Sequence, residues 1–175
     1  MNIFINTKQE NRNKLRLKDD KLFYLAYGSN LNEKQMLNLR CPGAIKIGSI
    51  YLEGFRLVFR EVADFAEDSS SNLAIGLWEI SKQHEQSLDI YEGVNSGLYK
   101  KIFWEISIND TSYKALIYKM NSQSIAEPRQ NYLDTIVQGF DDFNLDKKTL
   151  EDAVLYSSNN KRGNPYIRKI DRRKA

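Results

Sequence analysis

The chain has 175 residues, of which 41% are hydrophobic and 11% aromatic, which is enough for one domain with a buried core but not for two full-sized domains. No apolar run approaches the roughly 20 residues that a membrane-spanning helix needs, and the N-terminus lacks the apolar stretch of a signal peptide. A single cysteine, Cys41, and a single histidine, His84, exclude an internal disulfide, a zinc site of the usual Cys/His type, and nucleophilic triads that do not use His84. The cysteine count favours a reducing, cytoplasmic location.

The net charge of +3 is carried by the two ends of the chain. Residues 1–21 contain six Lys/Arg and three acids, and residues 159–175 contain seven Lys/Arg and one acid, whereas the part between them is acidic. We therefore predict a polar, basic N-terminal extension over 1–21, a folded domain over 22–158 and a basic C-terminal tail over 159–175. The domain has no basic stripe with interleaved aromatic residues, so nucleic acid is not an expected partner, apart from weak adsorption to the tails.

The first predicted unit is a strand, a glycine turn and a helix. A nearly continuous apolar run over 22–27 is typical of a strand that is covered on both faces. The turn at 28–30 ends it, and Asn32 then caps a helix that stops near Arg40, because Pro42 and Gly43 follow.

The remaining predicted elements are mostly strands, with helices between and after them. Residues rich in β-branched and aromatic side chains predict strands at 45–50, 51–60, 73–80, 98–108 and 112–120, with an acidic, serine-rich loop over 64–72 and a turn at 109–110. Helical patterns predict a helix from the Ser81 cap to about Tyr91, terminated by Gly93, and two helices near the C-terminus, around 133–140 and 150–154. This order predicts an α+β fold with a small mixed, mostly antiparallel sheet or barrel flanked by helices.

Two segments could carry chemistry. In the run Tyr27–Leu31, a glycine turn between a buried strand and a helix can direct backbone N–H groups into one concavity, which attracts a carboxylate or phosphate. A plain strand-to-helix turn explains the same residues. Glu92 lies at a helix C-terminus beside glycine-rich turn residues and two tyrosines, where the helix dipole and burial would raise its pKa and make it a better base. An exposed turn residue is the alternative reading.

Together, the segments LFYLAYGSNL and LDIYEGVNSGLYKK resemble the γ-glutamylcyclotransferase family, and the resemblance continues through SYKALIYKM and PRQNYLDTIVQGF, covering residues 22–156. It implies a small mixed barrel flanked by helices, and an enzyme that converts γ-glutamyl amino acids to 5-oxoproline and a free amino acid without metal or cofactor. The family's catalytic glutamate corresponds to Glu92. Its substrate-binding residues correspond to Tyr24, Leu25, Ala26, Tyr27, Gly28, Ser29, Asn30, Leu31, Tyr99, Tyr118 and Tyr132.

The resemblance leaves several alternatives open. Related cyclotransferases act on glutathione, on γ-glutamylamines or on antibiotic intermediates, so a γ-glutamylamine cyclotransferase is the second hypothesis. A non-catalytic module that keeps the cavity and binds a γ-glutamyl ligand is the third. Related proteins are often dimers, which leaves a homodimer open. The expected partner is therefore a small γ-glutamyl molecule, with no membrane.

Overall fold

The computed structural model describes residues 20–108, 111–121 and 124–161. Most of the predicted extension over 1–21, most of the predicted basic tail over 159–175 and the turn predicted at 109–110 lie outside the described residues.

Five strands form one sheet in the order β2-β3-β1-β5-β4. Their bounds are β1 Lys21–Ala26, β2 Ile45–Arg60, β3 Val62–Ser81, β4 Tyr99–Ile108 and β5 Thr111–Met120. All neighbouring strands pair antiparallel except β1 and β5, which are parallel. The predicted class, a mixed and mostly antiparallel α+β fold, is confirmed, and β2 and β4 are the two edges of the sheet.

The first strand in the sequence, β1, is the central strand of the sheet. It pairs with β3 along its whole length, from Lys21 opposite Ser81 to Ala26 opposite Gly76, and with β5 on its other side. Its last four residues are buried, and because successive side chains of a strand point to opposite faces, both faces of β1 are covered. Burial on both faces is the reason that the run over 22–27 is nearly all apolar rather than alternating.

The prediction of an acidic loop over 64–72 is wrong. Residues 45–60 form one strand rather than two, and residues 62–81 form its long antiparallel partner, so that the acidic segment lies within β3. The pairing passes from Glu53 opposite Asn72 to Phe55 opposite Glu67, which leaves residues 68–71 as a bulge. Polarity misled the prediction, because Asp64 itself is buried and fully paired while the polar, serine-rich stretch is confined to the bulge.

In the described residues, four α-helices flank the sheet, with the bounds α1 Glu33–Gln35, α2 Lys82–Tyr91, α3 Gln130–Asp142 and α4 Lys147–Asn160. The predicted caps are confirmed, since the Asn32 side chain accepts from the backbone of Gln35 and the Ser81 hydroxyl accepts from that of His84. After α1 the backbone widens into a π-helical turn that ends at Arg40. Within the described part of the chain, no helix has the length and apolar character needed to cross a bilayer.

Helix α3 packs directly on the turn that follows β1, and Gly139 makes this approach possible. A methyl group at Gly139 would lie 2.5 Å from Leu31 Cβ and 2.8 Å from the backbone nitrogen of Asn32. Real carbon contacts are not that short, so any side chain there would push α3 away from the turn. The small residue thus fixes the position of the segment that precedes α1.

We therefore expect Gly139→Ala to lower the free energy of unfolding by about 1–3 kcal/mol, even though alanine favours helix more than glycine does. Chemical denaturation measures the change, and Gln138→Ala, on the exposed side of the same helix, is the matched control. A Gly139→Ala protein as stable as the wild type would contradict the close packing of α3 on Leu31.

Candidate functional site

A cavity of about 220 Å³ opens where β1 ends, and five separate parts of the chain line it. These are β1 with the turn after it, the start of β3, the end of α2 with its following loop up to the first residue of β4, β5, and the start of α3. The lining residues are Tyr24, Tyr27, Gly28, Ser29, Asn30, Val62, Ala63, Tyr91, Glu92, Leu98, Tyr99, Tyr118 and Tyr132. The two sequence motifs around Gly28 and Glu92, some 60 residues apart, therefore face one another.

Glu92 is held in place by the C-terminal cap of α2. Its backbone N–H donates to the Leu88 carbonyl at 2.8 Å, and Gly93 follows with a φ of 62°, the left-handed conformation that glycine adopts without strain. The N–H groups of Gly93 and Val94 then bond back to the carbonyls of Ile90 and Asp89, which is the Schellman arrangement. Gly93, which the sequence predicted as the end of the helix, thus also fixes the backbone that carries the Glu92 side chain.

The carboxylate of Glu92 is partly withdrawn from water. Burial raises its pKa from 4.5 to about 7, and this outweighs the hydrogen bond from Asn30 and the charge of Arg40, both of which lower the pKa. Oε1 accepts from Asn30 Nδ2 at 2.7 Å, and no hydrogen bond to Oε2 is found from any residue that the structure describes. One oxygen is therefore anchored while the other is left for a bound molecule.

Asn30 is buried and every polar group of its side chain is used. Its amide nitrogen donates to Glu92 and to the hydroxyl of Tyr24, the latter at 2.6 Å, while its amide oxygen accepts from Arg40. Its backbone carbonyl accepts from the indole N–H of Trp78 at 3.1 Å. These contacts fix both the position and the orientation of the amide beside Glu92.

Arg40 is a buried cation that the sequence patterns did not indicate. Its guanidinium donates to the side chains of Asn30 and Tyr91 and, at 2.6 Å, to Gln35. It also lies 3.8 Å from the centre of the Tyr91 ring. The π-helical turn that carries Arg40 brings it back against the turn after β1, and no sequence periodicity predicts that return.

Several tyrosine hydroxyls around the cavity bond to the protein itself. Tyr27 donates to the backbone of Tyr118, Tyr118 donates to Asp89 at 2.8 Å, and Tyr99 donates to the carbonyl of Ala63. Burial raises the pKa of each of these hydroxyls, so they stay neutral. Their rings form the wall of the cavity, and their hydroxyls connect that wall to the surrounding strands.

The start of β3 approaches the glycine turn closely. The backbone N–H of Ala63 donates to the Tyr132 hydroxyl at 3.1 Å, and burial raises the pKa of Tyr132 to about 12. A methyl group at Gly28 would lie 2.9 Å from Ala63 Cβ and 3.3 Å from the Tyr132 oxygen. Only glycine therefore fits at this position.

A buried carboxylate supports that wall from behind. Asp64 accepts from Lys119 at 2.7 and 2.8 Å, from Arg60 at 2.8 Å and from the backbone N–H of Met120 at 3.1 Å. A buried charge is tolerated when it is paired and hydrogen-bonded in this way. The cluster ties the start of β3 to β5, and it holds Ala63 at the rim of the cavity.

Eight of the eleven predicted binding residues line the cavity together with Glu92, namely Tyr24, Tyr27, Gly28, Ser29, Asn30, Tyr99, Tyr118 and Tyr132. The other three, Leu25, Ala26 and Leu31, are fully buried in the hydrophobic core and lie outside the cavity lining. Their backbone carries the lining residues into position.

The lining residues not predicted are Val62, Ala63, Tyr91 and Leu98. Of these, only Tyr91 had a signal in the sequence, as the neighbour of Glu92. Within the described ranges, no group of three or more His, Cys, Asp and Glu side chains could hold a metal ion.

The raised pKa of Glu92 predicts how the stability of the folded protein depends on pH. Between pH 4.5 and about 7 the folded protein keeps a proton that the unfolded chain has released, so this residue makes the protein less stable as the pH rises through that window. Glu92→Gln removes this pH-dependent loss of stability, and we expect it to raise the free energy of unfolding at pH 8 by on the order of 3 kcal/mol, with no gain near pH 4.

Urea denaturation of the variant and the wild type across this pH range measures the difference. Glu105→Gln, at an exposed position of β4, is the matched control and should show no such trend. A benefit of Glu92→Gln that grows as the pH falls would contradict the burial of the carboxylate.

Comparison with known proteins gives a consistent picture. A model of the AIG2-like family matches residues 74–151. A Bos taurus protein named gamma-glutamylcyclotransferase is 29% identical over 141 residues, which cover 71% of this chain and 73% of the relative. A Mus musculus protein of the same name is 27% identical over 155 residues, with coverage of 80% and 81%.

Solved structures show the same relationship in the fold. One named gamma-glutamyl cyclotransferase superimposes with a TM-score of 0.66 at 25% identity, over 76% of this chain and 86% of the other. YkqA from Bacillus subtilis, at 23% identity and a TM-score of 0.64, shares the fold over 82% of this chain and 56% of its own. The resemblance predicted from the sequence is confirmed: the chain is similar in sequence and in fold to proteins named gamma-glutamylcyclotransferase.

Proposed function

We propose that this protein is a γ-glutamylcyclotransferase that releases 5-oxoproline from γ-glutamyl amino acids or peptides, with Glu92 as its general base and acid. The observation that carries the proposal is a partly buried carboxylate, with a pKa of about 7, in the same small cavity as the backbone of Gly28–Asn30. The relatives named gamma-glutamylcyclotransferase support the choice of reaction.

The reaction needs a base that can take a proton from the α-amino group of the substrate. An α-ammonium has a pKa of about 8, so transfer to an ordinary glutamate of pKa about 4.5 is uphill by roughly 5 kcal/mol. With the pKa of Glu92 near 7, the same transfer is uphill by only about 1.4 kcal/mol. Burial of Glu92 thus removes most of this cost.

The freed amine then attacks the γ-carbonyl carbon of its own molecule. A C–N bond forms, a five-membered ring closes, and the carbonyl oxygen gains negative charge in the tetrahedral intermediate. When that intermediate collapses, the bond to the departing nitrogen breaks and Glu92 gives that nitrogen the proton it had taken. The ring nitrogen still carries one extra proton, which passes through Glu92 to the same departing amine, so that Glu92 ends ionised, the lactam keeps one N–H and the amine leaves as its ammonium ion. The products are 5-oxoproline and a free amine.

The rest of the cavity binds and orients the substrate. The backbone at Gly28–Asn30 can donate N–H groups to the α-carboxylate or to the developing oxyanion, which are the negative groups of this reaction. The tyrosine rings narrow the space around the glutamyl chain and exclude water, and holding a flexible chain in a cyclic shape can supply several kcal/mol. A cavity of about 220 Å³ suits a glutamyl group with the departing amine towards the opening.

Incubation with γ-glutamyl-alanine, followed by detection of 5-oxoproline by mass spectrometry, tests the activity. Since the base is lost, Glu92→Gln should lower kcat about 100-fold or more while the protein stays folded, and Glu105→Gln should leave kcat unchanged. A Glu92→Gln protein with full activity would show that another group is the base. Reaction with γ-glutamyl-lysine isopeptides alone would favour a γ-glutamylamine cyclotransferase, and binding without turnover would favour a binding module.

The same assignment predicts a pH profile. Glu92 must be ionised to accept the proton, so kcat/KM should rise with pH, with a midpoint near 7, and should fall tenfold per unit well below that value. Initial rates between pH 5 and 9 measure it. A midpoint near 4.5 would mean that the base is a carboxylate exposed to water.

A further inference from the structure

We propose that Arg40 is a positioning residue that fixes the donor and acceptor directions of two hydrogen-bond chains at the cavity, one ending on Glu92 and the other on Ser29. This inference rests on the proposed function for its kinetic consequences, but its structural core is independent of turnover. Arg40 lines no part of the cavity and would act only through other side chains.

The first chain runs from Arg40 through Asn30 to Glu92. A guanidinium can only donate hydrogen bonds, so its contact with the amide oxygen of Asn30 excludes the flipped amide. The amide nitrogen must then face the other way, where it donates to Glu92 Oε1 at 2.7 Å. If Asn30 were flipped, its oxygen would face the carboxylate, and two acceptors would repel each other.

The second chain runs from the same guanidinium through Tyr91 to Ser29. Arg40 donates to the Tyr91 hydroxyl, so that oxygen acts as acceptor and its own proton is directed elsewhere. The Ser29 hydroxyl lies 3.3 Å away, within hydrogen-bond distance of that proton. The Ser29 hydroxyl proton is then available to Tyr132 or to a bound molecule.

The planar guanidinium of Arg40 therefore orients both hydrogen-bond chains. The guanidinium bonds to Asn30 through Nη1 and to Tyr91 and Gln35 through Nη2, and its face lies against the Tyr91 ring. A lysine ammonium carries the same charge but cannot reproduce this flat, divided geometry. Because Arg40 orients Asn30, and Asn30 donates to Oε1 of Glu92, the other carboxylate oxygen, Oε2, is left for the cavity.

Arg40 also bears on the titration of Glu92. The groups facing that carboxylate are Asn30, Arg40, Tyr24, Tyr27, Tyr99, Tyr118 and Tyr132. The tyrosines are neutral, so Arg40 is the charged member of this set, and it lowers the pKa of Glu92 against the larger effect of burial. Loss of Arg40 should therefore move the pKa of Glu92 above about 7.

Two Arg40 variants separate charge from geometry. Arg40→Met should raise the pKa of Glu92 and lower kcat about 10- to 100-fold, with KM changed less, because the base is no longer aligned. Arg40→Lys keeps the charge, so the pKa should stay near that of the wild type while kcat still falls. Arg56→Met removes another arginine that is paired with a carboxylate and stacked on a tyrosine, and it is the matched control.

The pKa of Glu92 is read by carbon-13 NMR of labelled glutamate side chains, with Glu92→Gln identifying the signal. An unchanged Glu92 titration in Arg40→Met, or full kcat in Arg40→Lys, would overturn the proposal. If the wild type performs no cyclisation but the Arg40→Met titration shifts as expected, the proposed function fails, whereas the effect of Arg40 on Glu92 stands.

A double-mutant cycle tests the route. If Arg40 acts on Glu92 through Asn30, adding Arg40→Met to Asn30→Ala should cost little further kcat, whereas additive losses would exclude this path. Should Arg40→Met fail to fold, Asn30→Asp carries the test. It keeps an oxygen for Arg40 but has no N–H for Glu92, so kcat should fall and the pKa of Glu92 should rise; wild-type values would overturn the proposal.

Discussion

The site depends on a carboxylate that is kept away from water without being neutralised by a close cation. Glu92 accepts one hydrogen bond from the neutral amide of Asn30. In the part of the chain that the structure describes, the positive charge that acts on Glu92 is on Arg40, and that amide lies between the two groups. Direct contact with the guanidinium would favour the ionised form strongly and make Glu92 a weak base, whereas complete isolation would leave it protonated at neutral pH. With the amide of Asn30 between Arg40 and Glu92, the pKa of Glu92 lies between these two extremes.

The tyrosines give the cavity a wall that excludes water and yet contains polar atoms. Their rings exclude water from the cavity as phenylalanine rings would, but their hydroxyls bond to backbone carbonyls, to Asp89 and to Asn30, so the wall is rigid and its polar atoms are satisfied. No buried side-chain nitrogen or oxygen among the described residues lacks a hydrogen-bond partner. A pocket of this kind is formed before any ligand arrives, which lowers the entropy lost on binding.

Local sequence patterns predicted the elements whose signals are local. The apolar run of β1, the caps at Asn32 and Ser81 and the stop at Gly93 all follow from neighbouring residues, and the structure confirms them. The resemblance to a family, rather than any spacing, brought Gly28 and Glu92 together. Arg40 and Ala63 were missed because their roles arise from chain segments that meet only in the folded protein. The acidic stretch of β3 was misread in part because the groups that pair with Asp64 include Lys119 and Met120 on β5, which are distant in the sequence.

The position of β1 in the sheet has a consequence for the way the protein is made. This strand precedes the other four strands of the sheet in the sequence, and its two neighbours, β3 and β5, follow it by some tens of residues. While a ribosome is still extending the chain, the glycine turn has neither Glu92 nor the β5 tyrosine to face, and the central strand exposes both of its apolar faces. Such distant pairings slow folding. The cavity of a nascent chain can therefore be completed only after β5 and the start of α3, which carries Tyr132, have both been made.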